Sequence, residues 1–181
     1  LDTPPRGLGA FARTFTPPFH KLFAITSVFS VLVAVVEVAL IYYLGRIVDL
    51  LAQTEPSQMW ANHGWELIGV VFFLIVLRPL VQIASTLLLN NALLPNFATL
   101  IRWRAHRHVL RQSVSWFESD FAGRIANRIM QAPPAAGEVM FQVFDAMTYS
   151  VAYLIGAGFL LIQADPRLVL PLAIWFGFYF W

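Results

Sequence analysis

Four long stretches of this chain carry almost no charge, and that constrains the fold more than any motif does. Residues 22–36 contain no Asp, Glu, Lys or Arg; Glu37 interrupts, and the run resumes from 38 to 45. Together these make about 25 residues, more than the roughly 20 that cross a bilayer as a helix. A second apolar stretch runs from Leu67 to Leu77, is broken by Arg78, and continues uncharged over 79–101. A third covers 146–164 and contains Gly156 and Gly158, a residue type frequent in membrane helices. A fourth follows Asp165-Pro166-Arg167 and has 14 residues to Trp181, only about 21 Å of helix. The expectation is an all-α polytopic membrane protein, truncated inside its fourth span.

Composition agrees. Apolar residues make up 59% and charged residues 12%, about half the share usual in a soluble domain. Disorder is excluded by the apolar content. With no cysteine, a disulfide scaffold, a thiolate zinc site and a cysteine nucleophile are excluded. The net charge of +2 forms no dense basic face, so a nucleic-acid partner is not expected; the expected partner surface is the lipid bilayer.

The charges orient the spans. Arg6, Arg13 and Lys21 precede the first; Arg102, Arg104, Arg107, Arg111, Arg124 and Arg128 lie between the second and third. Only Arg46 and Arg167 fall on the other side, with Arg78 inside a span. The positive-inside rule then predicts a cytoplasmic N-terminus and a cytoplasmic 102–138 region, in an inner or plasma membrane. Residues 1–20 read as an N-terminal interfacial segment. Phe11 and Phe15 share a helical face there, which suits a short helix on the membrane surface; an irregular tail fits equally. Pro17-Pro18 turns the chain inward.

Span 1 is placed at 21–49. The segment after it, LAQTEPSQMWANHGW, reads as a short polar outer loop, with Trp60 and Trp65 at the interface. Span 2 with its extension is placed at 65–115, because Leu100, Trp103, Arg107, Leu110 and Val114 recur at helical spacing beyond the membrane. Residues 125–163 form the returning arm and span 3, with an apolar stripe of Ile125, Ile129, Met140 and Phe144; Pro133-Pro134 is expected to interrupt that arm. Residues 167–181 begin span 4.

Glu37 and Arg78 are ionisable residues inside spans, each costly unless paired or hydrated. Glu37 lies 12 residues before Asp49, and Arg78 lies 12 after Glu66. Each is therefore about 18 Å from its outer end, so an antiparallel hairpin brings them level. They either pair or both face a polar cavity. Pro79 is placed to bend the second span. Asn90 and Asn91 form a polar pair deeper in it, suited to bonding across helices or lining a cavity.

There is no phosphate loop, no HExxH and no Ser–His–Asp arrangement, so no catalytic, cofactor-binding or metal site is expected in these residues. Energy for active work must then come from another domain, a partner or an ion gradient. A gradient-driven secondary transporter and a non-transporting membrane scaffold or receptor remain as rival readings; the long cytoplasmic arms argue against the first.

The stretch HRHVLRQSVSWFESDFAGRIANRIMQAP (106–133) closely resembles the first intracellular loop of the exporter-type ABC transporter transmembrane domain. Leu110-Arg111, Trp116-Phe117, Gly123-Arg124-Ile125 and Arg128-Ile129 carry the likeness. Gly45-Arg46-Ile47-Val48-Asp49 and Asp165-Pro166-Arg167 also look like this family. The resemblance implies six membrane helices per domain, and a second transmembrane domain, in a homo- or heterodimer, to complete the pore. It implies a nucleotide-binding domain, in the same or a separate chain, that binds ATP and Mg. It implies that a coupling element at 116–124 docks on that domain through Trp116, Phe117, Phe121, Gly123, Arg124 and Arg128.

Overall fold

The computed structural model describes residues 8–118 and 122–180. Among these there is helix and turn but no strand. A short helix α1 (Leu8–Phe15) and a 3₁₀ turn at Pro17–Phe19 lead into α2 (His20–Gln53). Next come α3 (Pro56–Phe72), α4 (Arg78–Leu87) and α5 (Leu94–Val109), then a short α6 (Val114–Glu118). α7 (Ala122–Phe141) and α8 (Met147–Ala164) follow, and a 3₁₀ turn at Pro166–Leu168 opens α9 (Val169–Phe180).

Three stretches are long and apolar enough to cross a membrane: Pro17–Gln53, Gln58–Val109 and Gly123–Ala164. Backbone polar groups in hydrocarbon must be satisfied within their own segment, and helix does this. The chain is thus a multi-pass membrane protein. A shorter apolar helix spans Pro166–Phe178. It is opened by Asp165, whose carboxylate accepts the Arg167 N–H at 2.8 Å.

The long second and third stretches are interrupted by wide π turns at Phe73–Leu77, Leu88–Leu93 and Gln142–Ala146. The first two have a visible cause. Pro79 and Pro95 lack an N–H, and their rings crowd the carbonyl four residues back. The residue before each proline bonds one residue further back instead: Arg78 N–H to the Phe73 carbonyl, Leu94 N–H to that of Leu89. Where a bend is expected at Pro79, the structure has a wide turn directly upstream of it.

Three sequence expectations are corrected. The polar outer loop is mostly helix: α2 runs to Gln53 and α3 starts at Pro56. Polar side chains do not break a helix, and Pro at the first position favours starting one. The second long helix stops at Val109, short of Val114. There the end tightens into i→i−3 bonds, Arg111 N–H to the His108 carbonyl at 3.3 Å and Gln112 N–H to that of Val109 at 3.0 Å, and the Gln112 side-chain amide also donates to the His108 carbonyl at 3.1 Å. Pro133-Pro134 does not interrupt α7, which continues through both. Pro133 is fully buried, and packing offsets the lost ladder bonds.

Contact density separates two compact units. One combines Leu1–Val28 with Thr86–Ala146, the other Phe29–Ser85 with Met147–Trp181. The first is built on Phe15, Phe23, Leu89, Leu93, Phe97, Ile101 and Met140. Phe97 is 1% exposed and meets Phe19 and Phe23 edge-on, with centroids 5.7 and 5.5 Å apart. α5 and α7 pack side by side here, with Leu94 Cδ2 only 3.8 Å from where a Cβ on Gly137 would sit. In the second unit α8 approaches α2 so closely that a Cβ on Gly156 would lie 2.8 Å from Val38 Cγ2.

Candidate functional site

Residues that sequence reasoning singled out fall into two groups. The first is intramembrane. α2 supplies Glu37, and α4 supplies Arg78 at its first position. The structure brings them together: Arg78 Nε and Nη2 both donate to Glu37 Oε1 at 3.1 Å, and Nη2 reaches Oε2 at 3.4 Å. Of the two arrangements open at the sequence level, a direct pair is the one formed. Opposite charges at this distance neutralise each other, which lowers the cost of holding either in hydrocarbon. Tyr149 of α8 lies within electrostatic reach of Glu37 and stacks on Tyr153, with centroids 5.8 Å apart.

The same unit holds a second ion pair, with no charge pattern in the sequence to mark it. Arg46 Nε donates to Glu66 Oε1 at 2.7 Å, and His63 Nδ1 lies 3.4 Å from Glu66 Oε2. One carboxylate thus ties α2 to α3 close to the turn between them.

Asn90 and Asn91 lie in the π turn Leu88–Leu93, both exposed. No bond between them or across helices is formed by their side chains among the described residues.

The second group surrounds the turn between α5 and α7. After Val109 the chain turns and forms α6, where Trp116 and Phe117 set their rings perpendicular at 5.1 Å. Trp116 is half-buried and Phe117 is 41% exposed. Gly123, Arg124 and Arg128 are exposed on the first turns of α7. Phe121, and the Ser119 and Asp120 considered as helix caps, lie outside the described residues. So does the Arg6 counted toward the topology. Along α7 and the π turn after it the predicted stripe holds, with Ile125 and Met140 buried and Ile129 and Phe144 half-buried. The stripe expected beyond the second span is only partly buried: Leu100 packs on the core, Trp103, Leu110 and Val114 are exposed, and the buried side is Leu93, Phe97 and Ile101.

Two contacts in this unit were not foreseen. Arg104 Nη1 donates to the Thr14 carbonyl at 3.1 Å, and its guanidinium carbon sits 4.8 Å from the Phe15 ring centroid. This fixes the last turn of α1, whose Phe11 and Phe15 stack at 4.4 Å. The cation also suits the carbonyl end of a helix. Ser27 donates its hydroxyl to the Phe144 carbonyl at 2.9 Å, inside a π turn where the ladder leaves acceptors free. Among the described residues no three His, Asp or Glu side chains converge as metal ligands.

The family model for the ABC transporter transmembrane region matches residues 23–181. The chain belongs to the ABC transporter transmembrane family. This ABC transporter chain is also 28% identical, over 173 residues, to an uncharacterized ABC transporter ATP-binding protein of Haemophilus influenzae. The matched region takes in 96% of the chain but only 28% of that protein's length. No solved structure matches. In an ABC transporter transmembrane chain, the Glu37–Arg78 pair and the turn carrying Trp116 and Phe117 are the two places where the side chains suggest more than packing.

Proposed function

We propose that this chain is part of the membrane domain of an exporter-type ABC transporter, forming part of the pathway and passing the closure of ATP-binding domains to it. The N-terminus and the α5–α7 turn lie in the cytoplasm, on the side favoured by the arginine count. A second transmembrane domain, identical or not, completes the pathway. ATP and Mg bind a nucleotide-binding domain in the same polypeptide or a separate one. The relative's name as an ATP-binding protein, and its greater length, support a fused arrangement.

The observation that carries this reading is α6. Five residues of helix stand between two long helices packed on one another, presenting an aromatic pair with Phe117 half open to solvent. A solvated aromatic at a turn adds little to its own unit, and it suits the core of an interface. Trp116, Phe117, Phe121 and Gly123 form the docking element in this proposal. Arg124 and Arg128 meet acidic groups on the ATPase or steady the arms. Binding energy released as the ATPase domains close shifts the membrane helices between two arrangements, and hydrolysis resets them.

The test is ATP hydrolysis and transport by the full-length transporter in lipid vesicles, with and without Phe117→Ala. The expected result is hydrolysis that no longer drives transport in the variant, with membrane insertion unchanged. Normal coupling would remove α6 from the mechanism. Absence of ATPase activity, with no co-purifying ATPase subunit, would sink the exporter reading itself.

A further inference from the structure

The Glu37–Arg78 pair does not use all its bonding capacity. Arg78 spends Nε and Nη2 on Glu37, and among the described residues Nη1 donates to nothing. Glu37 Oε1 receives two bonds at 3.1 Å, while Oε2 receives only the 3.4 Å contact. The side chains are 44% and 24% exposed. An open charged edge in hydrocarbon is costly, and such edges face a bundle interior or a wet cavity. The open side of this pair therefore faces a bundle interior or a wet cavity rather than lipid tails. A carboxylate oxygen with spare acceptor capacity suits an ammonium group. The remaining guanidinium edge suits a phosphate or carboxylate.

We propose that Glu37 and Arg78 form a subsite for a zwitterionic amphiphile, whose anionic group takes the Nη1 edge of Arg78 and whose cationic group takes the Oε2 side of Glu37. Neutrality decides the charge class. The empty pair sums to zero, so a ligand with one charge leaves one charge uncompensated in a low-dielectric site. A zwitterion leaves none, and its two charges interleave with the two already present. A lipid with a phosphate and an amine, or a smaller betaine-like amphiphile, would satisfy the same groups. This inference rests on the ATP-driven transport reading.

The experiment uses the full-length transporter in dodecyl maltoside micelles, which carry no charge of their own. Three probes share a twelve-carbon chain: dodecylphosphocholine, dodecyltrimethylammonium and laurate. Each is titrated while ATP hydrolysis is followed. The wild type is expected to respond to the zwitterion at a concentration at least about tenfold lower than to either single ion, the change that one well-placed charge contact makes. Glu37→Gln leaves Arg78 uncompensated and is expected to shift the preference to laurate. Arg78→Gln is expected to shift it to the trimethylammonium probe. A purely structural clasp predicts that all three half-points move together, and that result overturns the proposal. Equal half-points in the wild type overturn it without any variant, so poor folding of a variant does not decide the matter. A preference shared by the phosphocholine probe and a lysophosphatidylethanolamine identifies lipid headgroups as one source. A preference for dodecyl sulfobetaine as strong as for phosphocholine points to zwitterions at large; both support the subsite. A wild type that hydrolyses no ATP refutes the transport reading instead.

Discussion

Gly156 sets the distance between α8 and α2, and replacing it with alanine gives a magnitude that can be worked out in advance. The added Cβ would lie 2.8 Å from Val38 Cγ2, 3.2 Å from Cγ1 and 3.4 Å from Cβ. Carbon atoms settle at about 3.5–4.0 Å, so the shortest contact is too close by about 0.7–1.2 Å. Valine cannot easily turn away, because one χ1 rotamer dominates in a helix. The helices must then separate, and overpacking of this kind costs about 1–3 kcal/mol. Against this, alanine is the better helix former by up to about 1 kcal/mol. The clash outweighs the propensity, and a net loss of about 1 kcal/mol is expected. Gly158 provides the control, since a Cβ there meets nothing within 4 Å. Gly158→Ala is therefore expected to be neutral or slightly stabilising. Val38→Ala removes both methyl groups that clash and leaves the 3.4 Å contact. In the Gly156→Ala background it should recover stability, with a coupling of about 1 kcal/mol or more in a double-mutant cycle. Unfolding of the purified protein in non-ionic micelles, followed by tryptophan fluorescence, measures all four variants. If Gly156→Ala proves as stable as Gly158→Ala, or if Val38→Ala gives no relief, the close approach does not limit the packing.

Other outcomes follow from contacts in the first unit. Arg104→Lys keeps the charge but loses the planar fork, and should free α1. Faster hydrogen exchange over residues 8–15 and a loss of about 1–2 kcal/mol are expected, and unchanged exchange would show that Phe11 and Phe15 hold the helix unaided. Phe97→Ala empties a site that is 1% exposed and should cost about 3–5 kcal/mol, read from the same unfolding assay; a cost below about 1 kcal/mol would mean that Phe19 and Phe23 collapse into the space. Ser27→Ala removes the donor to the Phe144 carbonyl and should cost about 1 kcal/mol. Infrared spectroscopy of a protein labelled at that carbonyl would show whether the bond is lost.

The spans are legible in the sequence because charge is excluded from them so strongly that runs without it mark the helices directly. The level placement of Glu37 and Arg78 is legible because two residues counted equally from adjoining outer ends must lie level; the count leaves pairing and a shared polar cavity both open, and the direct bond is seen only in the structure. The limits of helices are harder to read. Between Leu50 and Glu66 polar composition suggests a loop, yet nothing in those side chains prevents helix, and Pro56 begins one. Pro133 looks like a breaker because the local cost of proline is visible in sequence and the burial that offsets it is not. The buried side of α5 is misread for a tertiary reason. Trp103 and Leu110 are as apolar as Phe97 and Ile101, and only the continuation from Leu89 and Leu93 selects the second pair. Arg104 could not be found by spacing at all, since its partners Thr14 and Phe15 belong to a distant segment.

That distance has a consequence for how the protein is made. α1 has eight residues, too few to hold a helix alone in water. Its last turn is secured by Arg104, 90 residues later in the chain than Thr14. At about 5–20 residues per second the ribosome needs roughly 5–20 s to reach it. Until α5 is made, Phe11 and Phe15 have no Phe97, Ile101 or Arg104 to meet, and this segment must rest on other surfaces. The helix made first in this unit is thus fastened only once α5 has been made.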